Sequence, residues 1–342
     1  MRMRMLAGVL CLASAVSASA QSAKPTRLEV PATASWQHAA TGMILPPVSA
    51  RFVRQDVSDN SGGAELDVAA TYQDSTTGTV ATVYVFRTML PDAPLWFDRA
   101  LDAILLRPNY KRADASPPAV TAFTPPKASR ASGLRTSVAL VPTPLRSTAL
   151  AVAPVGGWLV KVRMSSESLD AAALDARLSA FIDELRWPAE AKAPKAAAPI
   201  APCATPLRFK KAKIVHDDLA QVLINSVTGG LALEAAEDSG PTAVYCREPG
   251  LAPERAVYRP SEAANSYAIA MDDAGTILQL APALTIKGIG SGGKVSMTLM
   301  HRQTSDMLPS FNRLPSPDQA VNVLNSGRNS GISVEAGDGK NR

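Results

Sequence analysis

Trp187-Pro188-Ala-Glu-Ala-Lys-Ala-Pro194-Lys-Ala-Ala-Ala-Pro199-Ile-Ala-Pro202 is the stretch that divides this chain. It is almost entirely Ala, Pro and Lys, and no aromatic residue follows Trp187 within it. Proline fixes its own φ and has no N–H to donate. Pro188, Pro194, Pro199 and Pro202 together therefore rule out a continuous helix or a central strand. A proline-rich segment favours polyproline II at about 3.1 Å per residue, so about 15 residues reach up to about 45 Å. Structureless loops longer than about 12–15 residues are uncommon inside a compact domain. Residues 188–202 thus read as a linker between two folded units, 27–187 and 203–326, with a flexible tail at 327–342.

The length of 342 residues fits two such units, and the 46% hydrophobic content is enough to build their cores. At the N-terminus, Met1-Arg2-Met3-Arg4 carries positive charge, Met5 to Val16 is apolar, and Ala18-Ser19-Ala20 is a small-residue cleavage site. That order predicts a secretory signal peptide over 1–20, with Gln21 as the first mature residue. The apolar run is shorter than the roughly 20 residues a membrane-spanning helix needs, and no later segment supplies such a span. Leu10 stands before Cys11, where a lipoprotein signal wants a small residue. The expected location is periplasmic or secreted.

Cleavage removes Cys11, Arg2 and Arg4 and lowers the formal charge from +5 to +3. The mature chain is mildly basic, with one short cluster at Arg208-Phe-Lys210-Lys211-Ala-Lys213. Such a run usually forms a solvated face, and no nucleic-acid partner is expected for an exported protein. Cys203 and Cys246 remain, both in the second half. In an exported chain this predicts a disulfide. A zinc site or a catalytic thiol would need histidines at ligand or base spacing, and none lies near either cysteine in sequence.

In the first unit, Thr33 to Leu45 reads as an extended stretch ended by Pro46-Pro47, and Phe52-Val53-Arg54 as the start of another strand. Glu65 to Gln73 and Thr79 to Met89 form a hairpin across Asp74-Ser-Thr-Thr-Gly78. In its second strand Ala81, Val83 and Val85 share one face while Tyr84 and Phe86 take the other, as suits a strand covered on both sides. Asp92-Ala-Pro94 opens a helix with Phe97, Leu101, Ile104 and Leu105 on one face, widened by Trp96 and Ala100. Residues 108–130 read as a long loop. Strands follow at 134–141, 147–152 and 158–164, then a helix over 169–186 with Leu174, Leu178, Phe181, Ile182 and Leu185 aligned. Strands and helices in this order make an α+β unit with helices packed on a mostly antiparallel sheet.

This half resembles small secreted proteins with a Mog1/PsbP-like α/β/α sandwich. The features that carry the likeness are the Thr82-Val-Tyr-Val-Phe86 strand, the Trp96-Phe-Asp-Arg99 helix, the Gly157-Trp-Leu-Val-Lys-Val-Arg163 strand and the closing Leu185-Arg-Trp187. It is also similar to exported proteobacterial proteins of unassigned activity. The resemblance covers about half the chain and implies a fold, which does not fix a function.

In the second unit, Asp217-Asp218 caps a helix to about Ser226, ended by Thr228-Gly-Gly230. Strands are expected at 231–236 and 242–247, a hairpin at 267–271 and 276–280 across Asp272-Asp-Ala-Gly275, a strand at 295–302, and a helix from Pro317 to about Asn325.

Gly288-Ile-Gly290-Ser-Gly-Gly293-Lys294 satisfies two phosphate-binding patterns, but Val295 stands where a P-loop has Ser or Thr, and a strand follows instead of a helix. A Gly-rich connection is the expected reading. His38, His216 and His301 show no metal spacing, and no Ser sits in G-x-S-x-G. Capping and a turn account for Asp217-Asp218 and Asp272-Asp273, and the four tryptophans read as core or interface residues. The sequence therefore assigns no catalytic, cofactor-binding or metal residue; its only site residues are Cys203 and Cys246, as a disulfide. The fold class expected is α+β, two domains each with an antiparallel sheet and packed helices, joined by the Ala/Pro/Lys linker. The function expected is non-enzymatic binding or scaffolding of an envelope protein or glycan. The alternative is an exported hydrolase whose site assembles only in three dimensions.

Overall fold

The structure, a computed structural model, describes residues 25–108, 110–142, 144–215, 244–251, 256–260, 263–283, 293–327 and 333–335. The first half contains β1 (Thr26–Arg27), β2 (Trp36–Gln37), β3 (Ile44–Leu45), β4 (Val48–Ser49), β5 (Phe52–Asp59), β6 (Asp67–Asp74), β7 (Thr79–Arg87), α1 (Ala93–Leu105), β8 (Thr121–Phe123), β9 (Gly133–Ala139), β10 (Ser147–Val155), β11 (Trp158–Ser166) and α2 (Ala171–Glu184). The second contains β12 (Ile214–Val215), β13 (Tyr245–Arg247), β14 (Val257–Pro260), β15 (Tyr267–Ala270), β16 (Ile277–Pro282), β17 (Val295–Met300), β18 (Thr304–Phe311), α3 (Pro317–Asn325) and β19 (Ser333–Glu335). The protein is α+β and mostly sheet, and the strand pairs in its sheets are antiparallel.

The first sheet runs β1-β5-β6-β7-β11-β10-β9-β8, with β4 also on β5. The β6–β7 hairpin places Asp74 opposite Thr79, as the Gly78 turn predicts. Its two faces are both covered. Ala81, Val83 and Val85 point to the side closed by Leu174, Leu178, Phe181, Ile182 and Leu185 on and just after α2. Phe86, Leu134, Leu150, Val152 and Leu159 point to the opposite side, against α1. Asp170 caps α2 by accepting from Ala173 N at 2.8 Å, and Asp92 caps α1 by accepting from Leu95 N at 2.9 Å.

Four expectations need correction. The 33–45 stretch is two two-residue strands, β2 and β3, paired across a turn in which Gly42 takes φ +71°, a conformation that favours glycine. The 108–130 loop carries β8, an edge strand on β9. In α1 the fully buried row is Ala93, Leu95, Trp96, Phe97, Ala100 and Ile104, not one centred on Leu101 and Leu105. The helix is turned because it packs on the first sheet while also meeting the second half, a contact that helical periodicity alone does not specify. Finally, β14 and β18 were not foreseen: β14 has four residues, and Pro309 and Asp306 interrupt the pattern of β18.

The second sheet runs β12-β18-β17-β16-β15-β14-β13, and β19, inside the expected tail, pairs with β18. Its core is Val257, Tyr267, Ile269, Leu278, Leu280, Met297, Leu308 and Phe311, with Ala320, Val321 and Val323 of α3. Ser316 caps α3. A third apolar cluster joins the halves: Ala256, Tyr258, Ala268, Ala270 and Ile277 pack with Phe86, Trp96 and Leu159. The expected helix at 217–226 and strand at 231–236 lie outside the described residues.

Candidate functional site

Charged side chains surround the apolar contact between the halves. Lys161, in the middle of β11 and 2% exposed, extends to the β15–β16 turn. Its Nζ is 2.9 Å from Asp273 Oδ2 and donates to the Asp273 carbonyl at 2.5 Å. The ring faces of Tyr84 and Phe86 lie 4.5 and 5.5 Å from the ammonium. Burial works to raise the Asp273 carboxyl, but Lys161, Arg163 and Arg99 override it and hold it below the usual range, while burial draws the Lys161 ammonium below its ordinary value against the pull of Asp273. On α1, Asp98 and Asp102 sit four residues apart on one face and both accept from Arg247 of β13, with Arg247 3.0 Å from Asp98. Tyr258 donates to the same Asp98 oxygen at 2.8 Å. Arg302 meets Asp67, which is 4% exposed on its side chain, at 2.7 Å.

The halves also touch through backbone. Gly275 has φ +113°, and a Cβ there would lie 2.7 Å from the Arg87 carbonyl. Thr88 Oγ1 donates to the Gly275 carbonyl at 3.3 Å. The turn glycine, expected from the hairpin, thus also permits close approach of two segments.

Beside this junction lies a groove of about 1030 Å³. Its walls are the loops at 91–94, 125–128 and 154–157, the edge at 244–246, and the strap 187–202. The strap is held at three places. Lys127 donates to the Trp187 carbonyl at 2.7 Å, Ser129 donates from Oγ to Glu190 at 2.7 Å, and Ala197 N donates to the Ala131 carbonyl at 2.8 Å. Trp187 is buried, with Nε1 donating to the Ile182 carbonyl at 3.0 Å. At the end of the strap, Cys203 and the groove-lining Cys246 form the expected disulfide, their Cα atoms 4.9 Å apart.

Two polar groups stand out in this mostly apolar and proline-rich lining. Burial pushes the Asp92 carboxyl up to about 6, against the bond from Leu95 N and the nearby Lys195. Ser132 is 2% exposed, and its Oγ has no hydrogen-bond partner, an arrangement that is rare for a buried polar atom. A carboxyl with its pKa raised from 3.8 to about 6 favours folding below the lower value, and that contribution fades as pH rises through the upper one. Asp92→Asn retains a capping oxygen and removes the buried charge, so its urea midpoint at neutral pH should equal or exceed that of the parent. Asp92→Ala should lose about 1 kcal/mol of stability. Equal losses in both variants would contradict this account.

His38 is fully buried against Trp158, with ring centroids 4.7 Å apart. Its Nε2 faces the Glu65 carbonyl at 2.9 Å and must donate, which leaves Nδ1 to accept from Thr41 Oγ1 at 2.9 Å. Burial holds its pKa below the usual histidine value. His301 is 3.3 Å from Asp306 across the β17–β18 turn. His216, Asp217-Asp218 and residues 288–292 of the Gly-rich motif lie outside the described residues. Asp272 caps its turn by accepting from Ala274 N and Thr276 N at 2.9 and 3.0 Å. Arg208, Lys210, Lys211 and Lys213 are exposed, while Phe209 and Ala212 face the second core. Among the described residues, no cluster of three His, Cys, Asp or Glu could hold a metal ion, and no helix is long and apolar enough to cross a membrane.

Sequence reasoning missed the charged junction. Lys161 between Val160 and Val162 in a strand covered on both faces was the available signal, because a buried charge requires a partner. The i, i+4 spacing of Asp98 and Asp102 was another. The groove had no local signature, since distant segments form it. No family model matches this sequence, and no curated protein is significantly similar to it.

Proposed function

We propose that this is an exported envelope protein of two α+β domains, 27–187 and 203–326, whose junction groove is a non-enzymatic binding site. The signal-peptide pattern at 1–20 and the disulfide favour the periplasm or the extracellular space. Each half has its own sheet and apolar cluster, which supports the division. The observation that carries the binding reading is the groove itself. At about 1030 Å³ it is at the upper end of ligand-site volumes, lies where two units meet, and has apolar walls with a few polar groups. The charged junction gives it a fixed frame.

Ala196 lines the groove from the exposed strap, so Ala196→Trp should obstruct part of it without disturbing either core. Envelope extract passed over immobilised full-length mature protein should leave a saturable ligand whose affinity drops roughly tenfold or more in Ala196→Trp. Binding of equal strength to both proteins, or no saturable ligand, would overturn the assignment. Ester, amide or glycoside turnover abolished by the same substitution would support the hydrolase reading instead.

A further inference from the structure

Alternate residues of a strand share a face, so β11 turns Leu159, Lys161, Arg163 and Ser165 to the side of the first sheet that meets α1 and the second half. Lys161 is committed to Asp273, but Arg163, two residues on, is not. It is half-buried, opposite Leu150 of β10 and Thr82 of β7. Among the described residues its guanidinium has no hydrogen bond and no ion pair. The carboxylate whose charge reaches it is Asp273, which Lys161 already holds at 2.9 Å. A second guanidinium approaches the same place. Thr148 Oγ1 donates to the Met164 carbonyl at 3.1 Å, so Ser165 donates to Thr148 at 3.2 Å and Tyr110 to Ser165 at 3.4 Å. That chain seats the Tyr110 ring against β11, and the Arg107 guanidinium lies 5.4 Å from the ring centroid. Arg107 is exposed and likewise has no ion pair among the described residues. Burial first, and then the Arg107 charge, push Arg163 below the usual arginine value. On the same sheet face the half-buried Tyr84 hydroxyl has no hydrogen-bond partner among the described residues, and Arg163 is the charge that acts on it most.

We infer that Arg163, Arg107 and the Tyr84 hydroxyl form an anion site that binds a phosphoryl group. The site is separate from the groove, which none of these residues lines. Its donors are uncommitted, so an anion gains hydrogen bonds there without displacing any that the protein makes. It also relieves two like charges that otherwise face each other on a half-buried surface, where a charge without a partner is costly. The donor set decides the class of ligand. A guanidinium only donates, and its planar fork matches the paired oxygens of a carboxylate or a phosphate. Two forks and a phenol together suit the three acceptor oxygens and roughly two negative charges of a phosphate monoester better than the two oxygens and single charge of a carboxylate. The phosphoryl group can belong to a soluble ester or to a lipid headgroup, and the experiment separates the two.

Inorganic phosphate is titrated calorimetrically into the full mature protein, with acetate, and chloride at matched ionic strength, as comparisons. Phosphate should bind saturably and about tenfold tighter than acetate. Arg163→Gln should weaken it about tenfold or more and Arg107→Gln several-fold, because each removes charge-assisted hydrogen bonds. Arg163→Lys keeps the charge and loses the fork, so its affinity should fall between those of Arg163→Gln and the parent. Phosphate should also raise the urea midpoint of the parent and leave that of Arg163→Gln unmoved, which a merely structural arginine would not produce. Should Arg163→Gln fail to fold, Arg107→Gln carries the test, since its side chain is exposed. Ala196→Trp should leave phosphate affinity unchanged, so failure of the groove as a binding site and failure of this one are read separately. A phosphate response no larger than that of chloride, acetate binding as tight as phosphate, or parental affinity in both Gln variants overturns the inference. Saturable binding of glycerol 3-phosphate without sedimentation on phosphatidic acid vesicles identifies a soluble ester. Co-sedimentation with those vesicles that Arg163→Gln abolishes identifies a lipid headgroup, and either result supports the phosphoryl class.

Discussion

Asp273→Ala is expected to destabilise the protein by about 3–5 kcal/mol, because it removes one partner of a buried ion pair and leaves the other uncompensated. The unequal burial of the two partners decides the outcome. Lys161 is 2% exposed and cannot reach water, whereas the Asp273 side chain is 30% exposed. Without the carboxylate, the ammonium keeps the Asp273 carbonyl, the Tyr84 and Phe86 rings and the attraction of the Asp67 charge. Lys161→Met should cost less, since the abandoned carboxylate can hydrate and the methionine fills the space apolarly. Adding Lys161→Met to Asp273→Ala should recover most of the loss. Urea denaturation followed by tryptophan fluorescence measures all four proteins. Additive costs for the two substitutions would show that the pair is not coupled across the junction. Loss of the Asp273 partner should also favour separation of the halves, because this pair spans them directly.

Removing the disulfide should cost about 4 kcal/mol by the loop-entropy estimate for a cross-link of this span. The sequence separation is 43, and the bond ties the end of the strap to β13. Cys203→Ser/Cys246→Ser should therefore lower the urea midpoint of the second half, and reductant should lower the parent to the same value while leaving the double variant unchanged. The loss should fall short of unfolding the first half, whose core of Phe52, Tyr72, Val83 and Phe181 is closed by α2 without the second half. A loss below about 1 kcal/mol would mean that contact with the first half already orders 203–246, since pre-existing order removes the entropy a cross-link acts on.

Much of the secondary structure was legible because its causes are local. The row Leu174, Leu178, Phe181, Ile182 and Leu185 is the face that α2 and its C-cap bury. The alternation in residues 81–86 sorted side chains to the two faces on which they are found. Asp92 with Pro94, and Pro317, mark helix starts, and the structure adds Ser316 as the cap of the second, because the first backbone N–H groups need an acceptor. The cysteine pairing followed from there being two such residues in a chain read as exported. Harder cases were those in which a partner distant in sequence decides. β18 holds Asp306 and Pro309 because it lies between β17 and β12 and tolerates interruption of its pattern. The α1 face is rotated because Asp98 and Asp102 turn toward Arg247.

The linker shows where each source of information ends. Its four prolines determine by themselves that 188–202 is extended and neither helix nor central strand, because they fix φ and remove donors. The sequence likewise determined the α+β class and the disulfide, through side-chain periodicity and cysteine count. Only the tertiary structure decided that the strap lies along the body, held by Lys127, Ser129 and Ala131, and that a groove lies beneath it. It also paired Lys161 with Asp273. These depend on the meeting of segments 60 residues apart for Lys127 and Trp187 and 112 apart for Lys161 and Asp273, and local propensity carries no term for such a meeting.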